Sequence, residues 1–388
     1  MRNWKVILLV TTIFAGCKKP YNPPAISSPG NYLVVEGVIN SGADSTFIKL
    51  SRTVSISSNT INTESNAQVT VESNQDNIYP LKETLPGTYA AGPLNLNSAL
   101  QYRLRVKTAN GEEYLSDLVA VKPTPPIDSI GFNVKNDCIQ IYANTHDPAN
   151  NTHYYRWDYS ETWQFHSKYA SDFEIVYSPK DTIIERPASD QIHFCFASDS
   201  SSDIVLGSSA ALKQDIIFQN PIVKILSTSE KLEMKYSILL RQYALTGDAY
   251  SFWTNLKKNT EQLGSIFDAL PSQINGNIHC ISTPAKPVIG YISVTNVQAK
   301  RIFIANAQLP LTFVATYPYD CQEDSTYFVD PVTGLSDVQQ DFFGANPGTV
   351  EPLSQLTSNA GIIGYFRSDA ECSDCTIRGT TQQPAFWK

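Results

Sequence analysis

Beyond Tyr32 the chain alternates. In Tyr102-Arg-Leu-Arg-Val-Lys107 every second side chain is apolar, and Phe47–Ser51 repeats the pattern after the turn Gly42-Ala-Asp44. A period of two sends successive side chains to opposite faces of a strand. The β-branched run Tyr32–Ile39 and the stretches Ala67–Glu72, Ile78–Lys82, Gly87–Tyr89, Glu113–Leu115 and Leu118–Val121 read as further strands, with Asn110-Gly111 as a hairpin signal. About seven short strands with frequent turns in roughly 90 residues predict an immunoglobulin-like β-sandwich over residues 32–124. The stiff stretch Lys122-Pro-Thr-Pro-Pro126 ends it.

A larger β-rich C-terminal domain is expected over residues 127–388. Its clearest signal is Tyr155, Trp157, Tyr159, Trp163 and Phe165, set against Arg156, Asp158, Ser160, Thr162 and Gln164. One face of this strand is therefore aromatic, either as a sandwich core or as a platform for stacking sugars. Glu161 interrupts the aromatic face, and a buried carboxylate there needs a cationic or hydrogen-bonding partner. Arg241 and Arg301 are candidates for that role. Other strands are expected at Phe132–Val134, Cys138–Ala143, Asp172–Tyr177, Gln191–Ser198, Ile204–Leu206, Gln214–Phe218, Ile222–Ser227, Leu232–Leu245, Val288–Val297, Arg301–Ile304 and Gly361–Phe366. One prominent amphipathic helix stands out, with Ala249, Phe252, Trp253, Leu256 and Leu263 at helical spacing, Thr246 or Asp248 as cap and Gly264 as stop. Residues 330–360, rich in Pro, Gly, Asn and Ser, read as a long surface loop.

The start of the chain has a different pattern. Arg2 and Lys5 precede the apolar run Val6–Phe14 and the small pair Ala15-Gly16, and Cys17 follows. This is an export signal over residues 1–16, and Phe14-Ala15-Gly16-Cys17 resembles a lipobox, which makes Cys17 the lipidation site. Nine apolar residues fall far short of the roughly 20 that span a bilayer. Lys18 and Lys19 follow Cys17 in place of an inner-membrane retention Asp, so anchoring in the outer membrane is the expectation, on a leaflet the sequence leaves open. Residues 17–31 hold a proline-rich tether, which at about 3 Å per residue gives roughly 40 Å of reach. Loss of Arg2 and Lys5 with the signal takes the net charge from −8 to about −10. An acidic chain of this kind offers no electrostatic basis for binding nucleic acid.

Export also bears on the cysteines. Cys138, Cys195, Cys280, Cys321, Cys372 and Cys375 make an even number outside the cytoplasm and are candidate disulfide partners, in an order the sequence leaves open. Cys372-Ser-Asp-Cys375 also has metal or redox spacing, but no second ligand pair accompanies it. No HExxH, GxSxG, P-loop or dinucleotide fingerprint occurs, and His146, His153, His166, His193 and His279 are scattered. Asp199-Ser-Ser-Ser-Asp203 lacks the glycine and carboxylate density of a calcium loop. Neither a catalytic activity, a metal nor a cofactor is expected.

Several blocks together are recognisable: LVVEGVIN with LSRT, YRLRVKTANGEEYLSD, KPTPPIDSI, YYRWDYSETWQF, AYSFWTNLKKNTEQLGSIFD, PSQINGNIHC, PVIGYISVTNVQAKRIFI and the closing CSDCTIRGTTQQPAFW. In this order they resemble the Bacteroidota lipoproteins catalogued as domain of unknown function 4249, from about residue 15 to the C-terminus. The resemblance implies an outer-membrane lipoprotein whose partner is a TonB-dependent receptor-like β-barrel, and it supplies no catalytic residue. A non-catalytic accessory or binding subunit is the resulting expectation. A surface protein for glycans or peptides is the alternative, with exposure of Trp157, Trp163 or Trp253 in a groove as its mark, and a hydrolase stands behind both.

Overall fold

The computed structural model describes residues 31–54, 60–261 and 276–388. Cys17, the tether before Asn31, and Leu263 and Gly264 lie outside these residues. The protein is mainly β, as the alternation predicts. The segment before Lys122 forms β1 (Leu33–Asn40), β2 (Thr46–Arg52), β3 (Asn62–Thr63), β4 (Gln68–Ser73), β5 (Ile78–Leu85), β6 (Thr88–Ala91), β7 (Gln101–Lys107), β8 (Glu113–Ser116) and β9 (Val119–Ala120). Strand β5 changes partners along its length: Ile78–Leu81 pairs with β4, and the rest pairs with β6. It thereby joins two antiparallel groups whose inward residues, among them Val35, Ile48, Leu50, Val71, Tyr89, Leu104 and Tyr114, share one core.

After the proline-rich link come β10 (Ile127–Val134), β11 (Cys138–His146), β12 (Tyr154–His166), β13 (Phe173–Val176), β14 (Thr182–Glu185), β15 (Phe194–Ser200), β16 (Val205–Ser208), β17 (Ile216–Leu226) and β18 (Lys235–Leu245). Helix α1 (Gly247–Glu261) follows, and Thr246 caps it by accepting from the Ala249 amide at 3.2 Å. The chain then returns to the first module as β19 (Ile278–Cys280), β20 (Val288–Gly290) and β21 (Val294–Thr295). β19 pairs with β8, while β20 and β21 run parallel to β1. At Gly290 φ is +148°, and a Cβ there would sit 2.4 Å from the Val35 carbonyl, so only glycine permits this approach. The pattern Val288–Val297 reads as one strand of the C-terminal domain; it is two short strands that close the N-terminal sheet, because strand pattern does not encode which edge a strand completes.

β22 (Gln298–Ala305) completes the second module. Sheet β10-β11-β17 faces the larger sheet in which β12 lies between β15 or β16 and β18, with β22 beyond. Ile139, Ile141, Trp157, Tyr159, Tyr236, Ile238 and Leu240 fill the space between them. The last segment forms β23 (Asp324–Tyr327), α2 (Asp337–Phe343), β24 (Val350–Ser358), β25 (Gly361–Asp369) and α3 (Ala370–Ser373). The stretch 330–360 is therefore more than a surface loop. Val338 and Phe342 of α2 and Val350 of β24 are buried with Phe173 and Tyr365 in a small core of their own. Its polar composition hid an element that only a paired hairpin stabilises.

The link between the modules is held by buried polar groups. Thr124 Oγ1 lies 2.6 Å from Thr295 Oγ1, and the Thr124 amide donates to Asn296 Oδ1 at 2.7 Å. Gln242, fully buried, donates to the Pro125 carbonyl at 2.8 Å and to Thr145 Oγ1 at 3.0 Å. Every one of these groups is satisfied, which is the condition for burying them at little cost.

Candidate functional site

Strand β12 divides the second module into an inner and an outer face. Tyr155, Trp157, Tyr159 and Phe165 point into the core; Trp157 is 1% exposed and its indole N–H donates to Gln242 Oε1 at 2.9 Å. The aromatic stripe is thus a core, with no open platform for a sugar. Glu161 is on the same inner face, 3% exposed. Its partners are Lys231, whose Nζ is 2.9 Å from Oε2, and Tyr236, whose hydroxyl donates to the same oxygen at 3.0 Å. Burial, with Glu161 next, holds the Tyr236 phenol well above its ordinary range. Arg241 and Arg301 cannot reach Glu161, because strand parity turns both to the other face. Lys231 also sits 5.0 Å above the Trp163 ring, and the Trp163 N–H donates to Glu230 at 3.1 Å. An open depression of about 340 Å³ beside Lys231 is lined by Val223, Ile225, Leu226 and Ser229. The ammonium at its rim is committed to Glu161 and Asp199.

The outer face holds a different set. Arg156, Asp158 and Ser160 of β12, Ser237, Leu239, Arg241 and Tyr243 of β18, and Arg301 of β22 share it by register: Asp158 opposes Arg241, and Leu239 opposes Arg301. Helix α1 covers one end, where Arg156 is stacked between Trp253 at 4.4 Å and Tyr243 at 4.5 Å. The C-terminal segment covers the other end, with Phe386 lying 3.6 Å from the Arg301 guanidinium and Trp387 against Phe303. Between these ends the sheet face carries mostly polar and charged side chains, with Leu239 among them.

The charges on that face do not balance. Arg241 donates through Nε to Asp158 and through Nη1 to Ser160 at 3.1 Å. Burial opposes its charge, but Asp158 prevails and raises its pKa. Arg156 also turns toward Asp158, at 3.7 Å. Arg301 has a hydrogen bond to Ser237 Oγ at 2.9 Å and no carboxylate within ion-pair distance among the described residues. Burial, with Arg241 next, lowers its pKa. Two guanidinium groups thus share the Asp158 carboxylate, and the third lies beyond its reach. The signal in the sequence was the polar half of the β12 alternation, which draws less attention than its aromatic half.

The cysteines resolve into two bridges. Cys195 joins Cys375, and Cys321 joins Cys372, so the two cysteines of the CxxC reach separate partners and leave neither a redox pair nor a metal pair. Cys138 and Cys280, candidates for a third disulfide, are buried free thiols in the cores of different modules. Sequence spacing carried no sign of that separation. His166 and His193 come together, rings 5.1 Å apart, beside Tyr317, which donates to Glu233 at 2.8 Å. Burial, with His166 next, lowers the His193 pKa. His193 Nδ1 meets Ser167 Oγ at 2.8 Å, and His166 Nδ1 meets the Ser167 carbonyl at 2.7 Å, so protein partners occupy these atoms. Among the described residues no cluster of His, Cys, Asp or Glu is arranged to hold a metal ion, and no helix is long and apolar enough to cross a membrane.

Fold and site together define a two-module β-protein whose C-terminal region carries three arginines on the outer face of a sheet. The chain belongs to the family described as Domain of unknown function (DUF4249), whose model matches residues 18–301. The match ends at Arg301, so the closing cysteine segment lies beyond it. No curated protein matches the chain. Among solved structures, a chitinase, ChiA74 from Bacillus thuringiensis, aligns at 11% identity over 53% of this chain and 30% of the chitinase chain, with a TM-score of 0.15. A likeness at that level carries no argument about fold or activity.

Proposed function

We propose that this protein is a non-catalytic outer-membrane lipoprotein, anchored through Cys17, that serves as an accessory or binding subunit of a TonB-dependent receptor-like β-barrel. The observation that carries the reading is the set of exposed apolar residues on the two connections that flank β23. Leu311 is 99% and Val332 90% exposed, and Val314, Val329 and Leu335 are exposed with them. Scattered exposed apolar residues are ordinary, but Val329, Val332 and Leu335 follow one another in the short connection from β23 to α2, and such a cluster offers a surface to a protein partner.

The geometry of β1 supports the manner of presentation. Its beginning is fixed where the tether joins, since the Asn31 and Tyr32 amides both donate to Thr53 Oγ1 at 3.0 Å. Its end, Asn40, lies at the module junction, in register with Thr295. Eight residues of strand span about 26 Å. The N-terminal module, read as an immunoglobulin-like sandwich, is then a rigid spacer between lipid and C-terminal region. Two variants test the proposal. Cys17→Ala should move the protein from the membrane to the soluble fraction. Leu311→Ser with Val332→Ser and Leu335→Ser should remain membrane-bound but lose co-purification with a large β-barrel after gentle detergent extraction. Recovery of the wild-type chain alone would overturn the partner assignment.

A further inference from the structure

We propose that the turn between β23 and α2 is a rigid apolar knob that docks into a recess rimmed by lysine or arginine on a partner protein. The inference rests on the reading above, in which this turn meets a partner, and it states the chemistry of the partner's surface. The turn is closed by its own hydrogen bonds. The Asp330 amide donates to the Leu335 carbonyl at 2.8 Å, and the Gly334 amide donates to the Asp330 carbonyl at 2.9 Å. Asp330 Oδ1 accepts from the amides of Val332 at 3.0 Å and Thr333 at 2.6 Å. Gly334 takes a φ of +72°, and Pro331 fixes the φ that follows Asp330. At its start the Phe328 amide donates to the Ile363 carbonyl of β25 at 2.9 Å, and at its end Ser336 caps α2. A turn held in this way loses little freedom on binding. Yet the side chains it presents are apolar: Val332, Leu335 and Val329 are 90%, 70% and 67% exposed, with Phe328 and Ile362 exposed at its base.

Charge complementarity names the partner's chemistry. The chain has 29 lysines and arginines, yet residues 302–366 contain none, and no histidine, while they hold seven carboxylates. Asp341 and Asp324 face Arg367, and Glu351 faces Arg186. Asp320, Glu323, Asp330 and Asp337 have no ion pair among the described residues. Asp330 lies within the turn and Asp337 in the first turn of α2, so both accompany the apolar residues. Thr333, chiefly through its amide, holds the Asp330 carboxyl below its ordinary range and keeps it charged. An apolar centre with a charged rim is the anatomy of a protein interface, and a rim of one sign selects a partner rim of the other. The same charges argue against a lipid occupant. A segment that lies in a membrane interface carries lysine and arginine on its polar side, and an anionic bilayer surface repels carboxylates.

Photo-crosslinking of the full chain in native membranes tests this, with a benzophenone amino acid in place of Val332 and, separately, of Leu335. Both positions should crosslink to one protein. Mass spectrometry should place the crosslink in a peptide with more lysine and arginine than aspartate and glutamate. The yield should fall as salt rises from about 0.1 M to about 1 M, where the screening length shrinks from about 10 Å to about 3 Å. Asp330→Asn with Asp337→Asn keeps an oxygen for the turn amides and should lower the yield roughly threefold or more, the size of two rim charge pairs. Glu323→Gln with Asp337→Asn removes as much charge without touching the turn and stands in if Asp330→Asn loosens it. A crosslink to lipid, a peptide with no basic excess, no crosslink at either position, or a yield indifferent to salt and to both double variants would overturn the proposal. The two readings fail separately. A basic recess on a protein that is no β-barrel would sink the barrel assignment alone, and a barrel crosslinked through an uncharged surface would sink the recess alone.

Discussion

Glu161 and Lys231 form an ion pair that neither could leave unharmed. Glu161 is almost wholly enclosed, and Lys231 reaches it from a 3₁₀ turn seventy residues later in the chain. Removing one partner strands a charge in the core, which costs about 3–5 kcal/mol, whereas replacing both by apolar groups is often close to neutral. Lys231→Met should therefore lower the free energy of unfolding in urea by about that amount, and Glu161→Leu in the same chain should recover most of it. Glu161→Gln alone should be milder, since its amide oxygen still accepts from Tyr236. A Lys231→Met chain as stable as wild type would show that the pair contributes little. The alternation of β12 made the position of Glu161 legible from sequence, and strand parity alone was enough to exclude Arg241 and Arg301. Lys231 was not legible, because a 3₁₀ turn sets no face by periodicity.

The C-terminal segment is fastened by its bridges and by one acidic cluster. The Cys195–Cys375 bridge closes a separation of 180 residues, and long closures restrict the unfolded chain most. Cys375→Ser with Cys195→Ser should lower the denaturation midpoint by the equivalent of about 2–5 kcal/mol. The even number of cysteines after Cys17 pointed to disulfides, but the partners of Cys372 and Cys375 depend on where β15 and the 317–323 connection come to lie. Nearby, Arg186 binds Glu351 at 2.9 Å, with Glu174 at 3.8 Å. Burial, with Asp374 and Glu174 adding to it, pushes the Glu351 carboxyl up to about 7 against the pull of Arg186. A carboxyl whose pKa is raised on folding binds its proton more tightly in the native state, so its contribution falls as pH rises from about 4.5 to about 7. Urea midpoints should accordingly be lower at pH 7.5 than at pH 5.5, by the equivalent of up to about 2 kcal/mol, and Glu351→Gln should remove most of that difference. Glu112 acts in a separate range. Lys286, ahead of Tyr114 and Asn110 and against burial, lowers it to about 2, so its stabilisation is lost only as pH falls below about 4.5.

The relation between the two modules depends on the buried polar junction. Gln242→Leu takes from the Trp157 indole N–H its acceptor and from the Pro125 carbonyl its side-chain donor, at about 1–3 kcal/mol for each buried group orphaned, while Thr145 keeps its bond to the Pro126 carbonyl. Small-angle scattering should then show a broader distribution of shapes with each module still folded, and an unchanged profile would place the rigidity elsewhere. How strands were divided between modules was the least legible feature. The patterns gave nearly every long strand, yet β19, β20 and β21 are too short to announce which edge they close. Residues 32–124 expressed alone should be poorly soluble, since β1 and β8 would each expose an unpaired edge. A monodisperse fragment with dispersed amide resonances would contradict this.

Under the export proposed above, the returning strands also set an order of events. A chain that crosses a membrane unfolded, N-terminus first, delivers β1 early, but the two parallel strands that lie against it begin at Val288. The first module therefore waits, with its edges open, until nearly three quarters of the polypeptide has emerged. By then the proposed anchor at Cys17 would already have been read at the start of the chain. For the lipoprotein proposed above, any escort would have to shield an unfinished sheet next to the lipid and could release the chain only after the second module has passed.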